Sequence, residues 1–385
     1  MAIARITCLC LALIAAPLAS EQPPAEPWNT LKNQNILTWS QSQMRQGFPN
    51  IDQVKPVRFI PASNAPMPLP EAPWPGTDEW ATRMADLNLA GLLVIENGTV
   101  RYEHYRQGHK ASQPWMSFSV TKSVVSMLFG AALKDGDIRS LDDMVSDYVP
   151  EFQNSAYASV TIEDLLRMRS GVAWSEAYDD PASDVSRLDN ARESEILRHL
   201  ASLPRAAPPG ATFNYNTGET ILAGVILSRA VGTSLSAYLA NKIWVANGMA
   251  SEANWALMGA GGGEMGGCCI SATLKDYGRL GMLALDNWLG NDSPSELPAG
   301  WLRASTTPAS DAPNYGFFWW LGDGNEFRAS GIFGQAIHVL PDHRLVIAMH
   351  GLWPSAVDED LSSKREALID AIKDRASSAR QADLH

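Results

Sequence analysis

The apolar positions of this chain change period along its length, and the changes divide it. Two strand-like runs, Gly91-Leu-Leu-Val-Ile-Glu and Thr99-Val-Arg-Tyr-Glu-His-Tyr, flank Asn97-Gly98. An Asn-Gly pair suits the left-handed backbone of a two-residue turn, so a β-hairpin is predicted here. From Met116 to Gly136 the spacing turns helical and stops at Asp135-Gly136, a C-cap signal. Helical signals then dominate to about Asn287. Thr161-Ile-Glu-Asp opens Leu165-Leu166 as a capping box, Gly218 to Gly232 and Ser234 to Ile243 read as apolar helices, and Thr273 to Trp288 reads as an amphipathic one. Strand signals return at Tyr315 to Leu321, Gln335 to Leu340 and Arg344 to His350, the last two joined by Pro341-Asp342-His343. Asp358 to Ala376 closes the chain as an amphipathic helix.

Strands at both ends with helices between imply an α/β chain of the α+β type. Its antiparallel sheet is built from both chain ends, with a mostly helical subdomain inserted. The boundaries fall at about 77–118 and 290–385 for the sheet part and 137–289 for the helical part. Glu79 to Leu89 is a further helix candidate, and residues 21–76, rich in Pro, Asn and Gln, read as an extended arm wrapping the fold. Residues 1–20 read as a signal peptide: Arg5, an apolar run from Ile6 to Ala16, then small residues at Ala19-Ser20. The run is short for a bilayer span, so no stable membrane insertion follows its removal, and the mature chain is expected to be exported, periplasmic or secreted.

Composition narrows the partners. Across 385 residues the formal charge is −12, with no Lys/Arg cluster, which disfavours nucleic acid. The seven histidines include no metal-binding spacing, so no metal is expected. Of the four cysteines, Cys8 and Cys10 leave with the signal. Cys268-Cys269 are adjacent, and trans-linked Cα atoms sit about 3.8 Å apart, below the usual disulfide range. Two unbridged, buried thiols are therefore expected.

The chemistry centres on Ser119 and Lys122. Among the lysines only Lys122 has a serine three residues before it, and that spacing puts both on one helix face, as nucleophile and base. Rival signals are weaker. No Gly-x-Ser-x-Gly elbow is present, and Gly261-Gly-Gly-Glu-Met-Gly266 follows no strand, so close-packed backbone accounts for it better than a dinucleotide site. Pro209-Gly-Ala-Thr-Phe-Asn-Tyr215-Asn-Thr-Gly218 leads into a helix, and Phe327-Arg-Ala-Ser-Gly-Ile-Phe-Gly-Gln335 leads into a strand. Alone, the first reads as a half-buried surface tyrosine and the second as a tight turn.

Together with Ser-x-x-Lys, these segments resemble the penicillin-recognising serine hydrolases, in the branch of class C β-lactamases, DD-peptidases and related esterases. Tyr178-Asp-Asp-Pro-Ala-Ser-Asp-Val, Trp319-Trp320, Ser330-Gly-Ile with Gly334-Gln335, and Trp353-Pro354 resemble the 6-aminohexanoate-dimer (nylon oligomer) hydrolases most closely. The resemblance implies a β-lactamase-like fold and a small ester or amide substrate, with no metal or organic cofactor. It implies an acyl-enzyme on Ser119, with Lys122 and Tyr215 as general base and acid. It also implies an oxyanion hole from the Ser119 and Ile332 amides, and substrate contacts from Tyr178, Ser330, Gly331, Met265 and Trp319. Two departures stand out. Thr217 takes the place of an asparagine two residues after the tyrosine, and Ala329-Ser330-Gly331 replaces the Lys-Thr-Gly of β-lactamases. The missing lysine shifts the expectation from β-lactams toward esters and linear amides. A DD-peptidase or weak β-lactamase is the alternative, and a non-catalytic binding or sensing protein on the same scaffold is a second. Oligomeric state has no signal.

Overall fold

The computed structural model describes residues 27–32, 34–291 and 296–382, so the signal-sequence reading lies outside it. Among the described residues ten strands form: β1 (Val57–Ile60), β2 (Leu89–Glu96), β3 (Thr99–Tyr105), β4 (Trp115–Met116), β5 (Ala253–Ala256), β6 (Ile270–Ala272), β7 (Trp320–Leu321), β8 (Phe327–Gly331), β9 (Gln335–Leu340) and β10 (Leu345–Gly351). The predicted hairpin is β2–β3, with Asn97 and Gly98 at φ 49° and 76° as its turn requires. One antiparallel sheet runs β3-β2-β10-β9-β8-β7, so both chain ends build it, as the strand pattern implied.

All eight β2 residues are buried, because both faces of the sheet are covered. On one face Leu92, Val94, Ile347 and Met349 pack against Leu368, Ile369 and Ile372 of the closing helix, Glu359–Ala382. On the other, Leu93, Ile95 and Val346 join a core shared with the Leu274–Leu289 helix. Gly278 and Gly281 let that helix lie directly on the strands, since a Cβ there would sit 2.6 Å from Leu93 Cδ2 and 2.4 Å from Val346 Cγ1. This helix, assigned by sequence to the helical insertion, therefore packs as part of the sheet layer.

Three further elements differ from expectation. A second antiparallel sheet, β1-β5-β6-β4, was not anticipated. Its strands are two to four residues long, too short to show a period. Residues 27–56 are not an extended arm. They form short helices at Pro27–Lys32 and Gln41–Gly47 before β1, because Ile36, Trp39, Met44, Phe48 and Ile51 bury against Trp115, Phe118 and Phe333. The Tyr315–Leu321 strand shrinks to β7, since the chain turns sharply at Gly316, whose N–H bonds the Trp319 carbonyl at 2.9 Å.

At the centre stands the Val120–Asp135 helix, capped by Gly136 at φ 84°, with thirteen of its sixteen residues buried. It lies between the sheet at β8 and the apolar Thr217–Val231 helix.

Candidate active site

Ser119 occupies the turn between β4 and the central helix. The Ser117 amide continues the pairing by donating to the Ile270 carbonyl at 2.8 Å. Phe118 then takes φ 48°, uncommon for a residue with a side chain. Its ring is held 5.2 Å from both Phe48 and Phe333, which fixes the bend and sets Ser119 at the helix start.

Lys122 follows one turn later and is 2% exposed. Its Nζ donates to Ser119 Oγ at 3.0 Å, Thr217 Oγ1 at 3.0 Å and the Gly267 carbonyl at 2.8 Å. Burial lowers its pKa to about 8, against the opposing pull of the Glu176 carboxylate. At that value roughly one amine in ten is neutral at pH 7, against fewer than about one in 10³ for a free lysine. The carbonyl reaches Lys122 because the preceding segment lies flat on a helix. A Cβ on Gly266 would meet the Thr220 carbonyl at 2.2 Å, and one on Gly267 would meet the Thr217 methyl at 2.7 Å. The glycine run is thus close-packed backbone.

Tyr215 sits in the loop before the Thr217–Val231 helix. Asn216 anchors that loop, its Oδ1 accepting from the Glu219 amide at 3.1 Å and its Nδ2 donating to Glu219 Oε1 at 3.2 Å. The Tyr215 ring lies 5.4 Å from Lys122 Nζ and stacks on Trp320 at 5.4 Å. Burial, then the Glu176 charge, push the phenol above its usual pKa while the Ser119 contact opposes them, so it stays protonated.

Glu176 was missed by sequence reasoning, yet it ties the site together. Its carboxylate accepts from the Thr217 amide at 3.0 Å and the Tyr178 hydroxyl at 2.8 Å, and also from the Thr217 hydroxyl and Trp174 Nε1. The signal was the alternation Trp174, Glu176, Tyr178, which puts three side chains on one side of an extended stretch. Thr217, at the position where an asparagine was expected, supplies the hydroxyl that links Lys122 to this carboxylate.

A cavity of about 300 Å³ opens from Ser119. Tyr178, Met265, Thr217 and Ile332 line it, along with Ile36, Leu37 and Ile51 from the N-terminal segment. Ile332 arrives there because Gly331 lets β8 approach closely: a Cβ would meet the Ser117 carbonyl at 2.4 Å. Three of the expected contact residues, Trp319, Ser330 and Gly331, stand outside the lining of this cavity. Trp319 is 2% exposed and packs edge-on to Phe327 in the core, so it is not part of the wall of the cavity at Ser119. Its neighbour Trp320 is the one that meets Tyr215. Ser330 and Gly331 end β8 half-buried beside the site but outside the cavity wall. Cys268 and Cys269 line the cavity joined by a disulfide. Free thiols were expected, and the structure pairs the two cysteines instead. Among the described residues no group of three or more His, Cys, Asp or Glu is arranged for a metal.

A serine held by a buried lysine, with a tyrosine ring beside that lysine, between an antiparallel sheet and a helical layer, defines the class. The Beta-lactamase family model matches residues 81–359, and the chain belongs to that family. It is a hydrolase. Over 365 residues it is 25% identical to the 6-aminohexanoate-dimer hydrolase of Paenarthrobacter ureafaciens, covering 87% of this chain and 92% of that one. A Bacillus anthracis structure assigned the same hydrolase name superposes with a TM-score of 0.78 at 20% identity, covering 87% and 95% of the two chains. A local match of 130 residues, 32% identical, links it to Esterase EstB of Burkholderia gladioli, covering 31% of this chain and 33% of that one.

Proposed function

We propose that the protein is an exported serine hydrolase that cleaves small carboxylic esters or linear amides through an acyl-enzyme on Ser119. The observation that carries this is the Lys122 Nζ, buried, with a lowered pKa and 3.0 Å from Ser119 Oγ. Neutral Lys122 takes the hydroxyl proton as Oγ attacks the carbonyl carbon. The Ser119 and Ile332 amides receive the developing oxyanion. As the bond to the alcohol or amine breaks, Tyr215 hands it a proton and is recharged from Lys122. Water then repeats the sequence to release the acid and free Ser119. Tyr178, held by Glu176, contacts the departing group from the cavity wall.

The names of the relatives support both bond types, a linear amide in one and an ester in the other. Export rests on the composition of residues 1–20. Against β-lactams, the strand position of the usual lysine holds Ala329, and Arg328 lies on the opposite sheet face, where its charge acts on buried His338. A panel of a short-chain ester, a linear amide and a penicillin, run on the wild type and on Ser119→Ala, tests the reading. Ester or amide turnover at least about 10³-fold above the variant is expected, with penicillin turned over slowest. Turnover that survives in Ser119→Ala sinks the mechanism, and penicillin as best substrate sinks the substrate class.

A further inference from the structure

The wall of the cavity that opens from Ser119 includes an ion pair, Lys55 with Asp189. Among the described residues that line it, Lys55 is the one basic side chain and Asp189 the one carboxylate. Much of the wall beyond the nucleophile is apolar, with Ile36, Ile51, Val185 and Leu188 among it. Lys55 Nζ lies 2.8 Å from Asp189 Oδ1, with 11% and 17% of the two side chains exposed. Asp189 Oδ2 accepts from the Ile36 amide at 3.3 Å and from Asn190 Nδ2 at 3.1 Å, so both carboxylate oxygens are occupied. Lys55 also donates to Asn190 Oδ1 at 2.5 Å. The pair therefore joins the N-terminal segment to the loop carrying Asp189, and neither charge is left over for a ligand. Ser119 and Ile332, whose amides receive the oxyanion in the reading above, line this cavity, so the reacting carbon stands at its wall and an acyl chain can extend into it.

We propose that the Lys55–Asp189 pair neutralises the charged groups of this cavity and thereby selects substrates whose acyl chain is aliphatic and uncharged. An acyl chain ending in an ammonium would leave water to meet a lysine of its own sign and a carboxylate already engaged. A chain ending in a carboxylate would meet Asp189 in the same way. Neither gains a partner that offsets its lost hydration. A neutral chain meets apolar walls and gains up to about fourfold in binding for each methylene buried. The kinetic consequence rests on the serine-hydrolase reading above, whereas the binding consequence does not.

The test has two arms. In the first, kcat/KM is measured for the p-nitrophenyl esters of acetate, hexanoate and 6-ammoniohexanoate, corrected for uncatalysed loss. Hexanoate is expected to exceed each of the other two at least tenfold. Lys55→Met should narrow the gap between hexanoate and its ammonium analogue, because Asp189 is then free to attract the ammonium. The double variant Lys55→Met/Asp189→Asn, which leaves no unpaired charge, should restore the wild-type preference. Ester turnover indifferent to chain length, or equal use of the ammonium ester, overturns the proposal. In the second arm, calorimetry compares hexanamide with 6-aminohexanamide on Ser119→Ala protein. Tenfold tighter binding of hexanamide supports the proposal even if no ester is hydrolysed, an outcome that would refute only the catalytic reading. Equal binding, or none of either amide, overturns it.

Discussion

Lys122 gives up stability for its reactivity. Its pKa falls to about 8 in the fold, while the unfolded residue keeps its ordinary value near 10.5. Between those values the unfolded chain holds more protons than the folded one. The lysine's contribution to stability therefore rises with pH across that window and is least favourable below it. The shift corresponds to a cost on the order of 3 kcal/mol at pH 7. Lys122→Met should accordingly melt at a higher temperature than wild type at pH 7, with an advantage that shrinks as pH rises past 8. Melting curves at several pH values measure this, and no advantage at pH 7 would contradict it. Wild-type kcat/KM should climb with pH to about 8 and then level. Glu176 raises the lysine's pKa, so Glu176→Gln should move that acid limb to lower pH while lowering kcat. A limb that stays put would remove Glu176 from the electrostatics of the site. Ser119, Lys122 and Tyr215 were legible in the sequence because each stands in a short local pattern. Trp319 and Trp320 could not be told apart by type, because neighbouring residues in extended backbone face opposite ways: Trp319 is buried in the core and Trp320 stacks on Tyr215.

Among the elements, the hairpin and the long helices were legible because their turns and caps are local. Asn97-Gly98, Gly136 and Gly232 all adopt the left-handed backbone their sequence positions suggest. The Gly266-Gly267 segment shows what sequence cannot supply. Its composition marks close packing but not the partner, which is the Thr217–Val231 helix. Gly266→Val should push this segment off the helix, because even its Cβ would lie 2.2 Å from the Thr220 carbonyl. The expected result is a loss of about 1–3 kcal/mol in denaturant unfolding, together with a fall in kcat as the Gly267 carbonyl leaves Lys122. Full activity in that variant would show that the carbonyl contact is dispensable. The second sheet was illegible for a different reason. Strands of two to four residues have no measurable period, and β1 and β5 find each other across nearly 200 residues of chain.

For the whole molecule, the two-ended sheet could be inferred from the order of strand and helix signals. The N-terminal segment could not, because its buried positions are spread among Pro, Asn and Gln. Yet Phe48 packs on Trp115, Phe118 and Phe333, and Ile36, Ile51 and Lys55 complete the cavity wall. The site is thus closed by the first described residues, opened by the central helix, and joined by Ile332 from the last third of the chain. Every part of that assembly converges on one oxygen, Ser119 Oγ. The most direct test is to quench the enzyme in acid during turnover of a p-nitrophenyl ester and weigh the intact protein and its peptides. A single acyl group on the peptide containing Ser119, absent from Ser119→Ala, is the predicted result. An acyl group on another residue, or an undiminished burst of p-nitrophenol from Ser119→Ala, would contradict it.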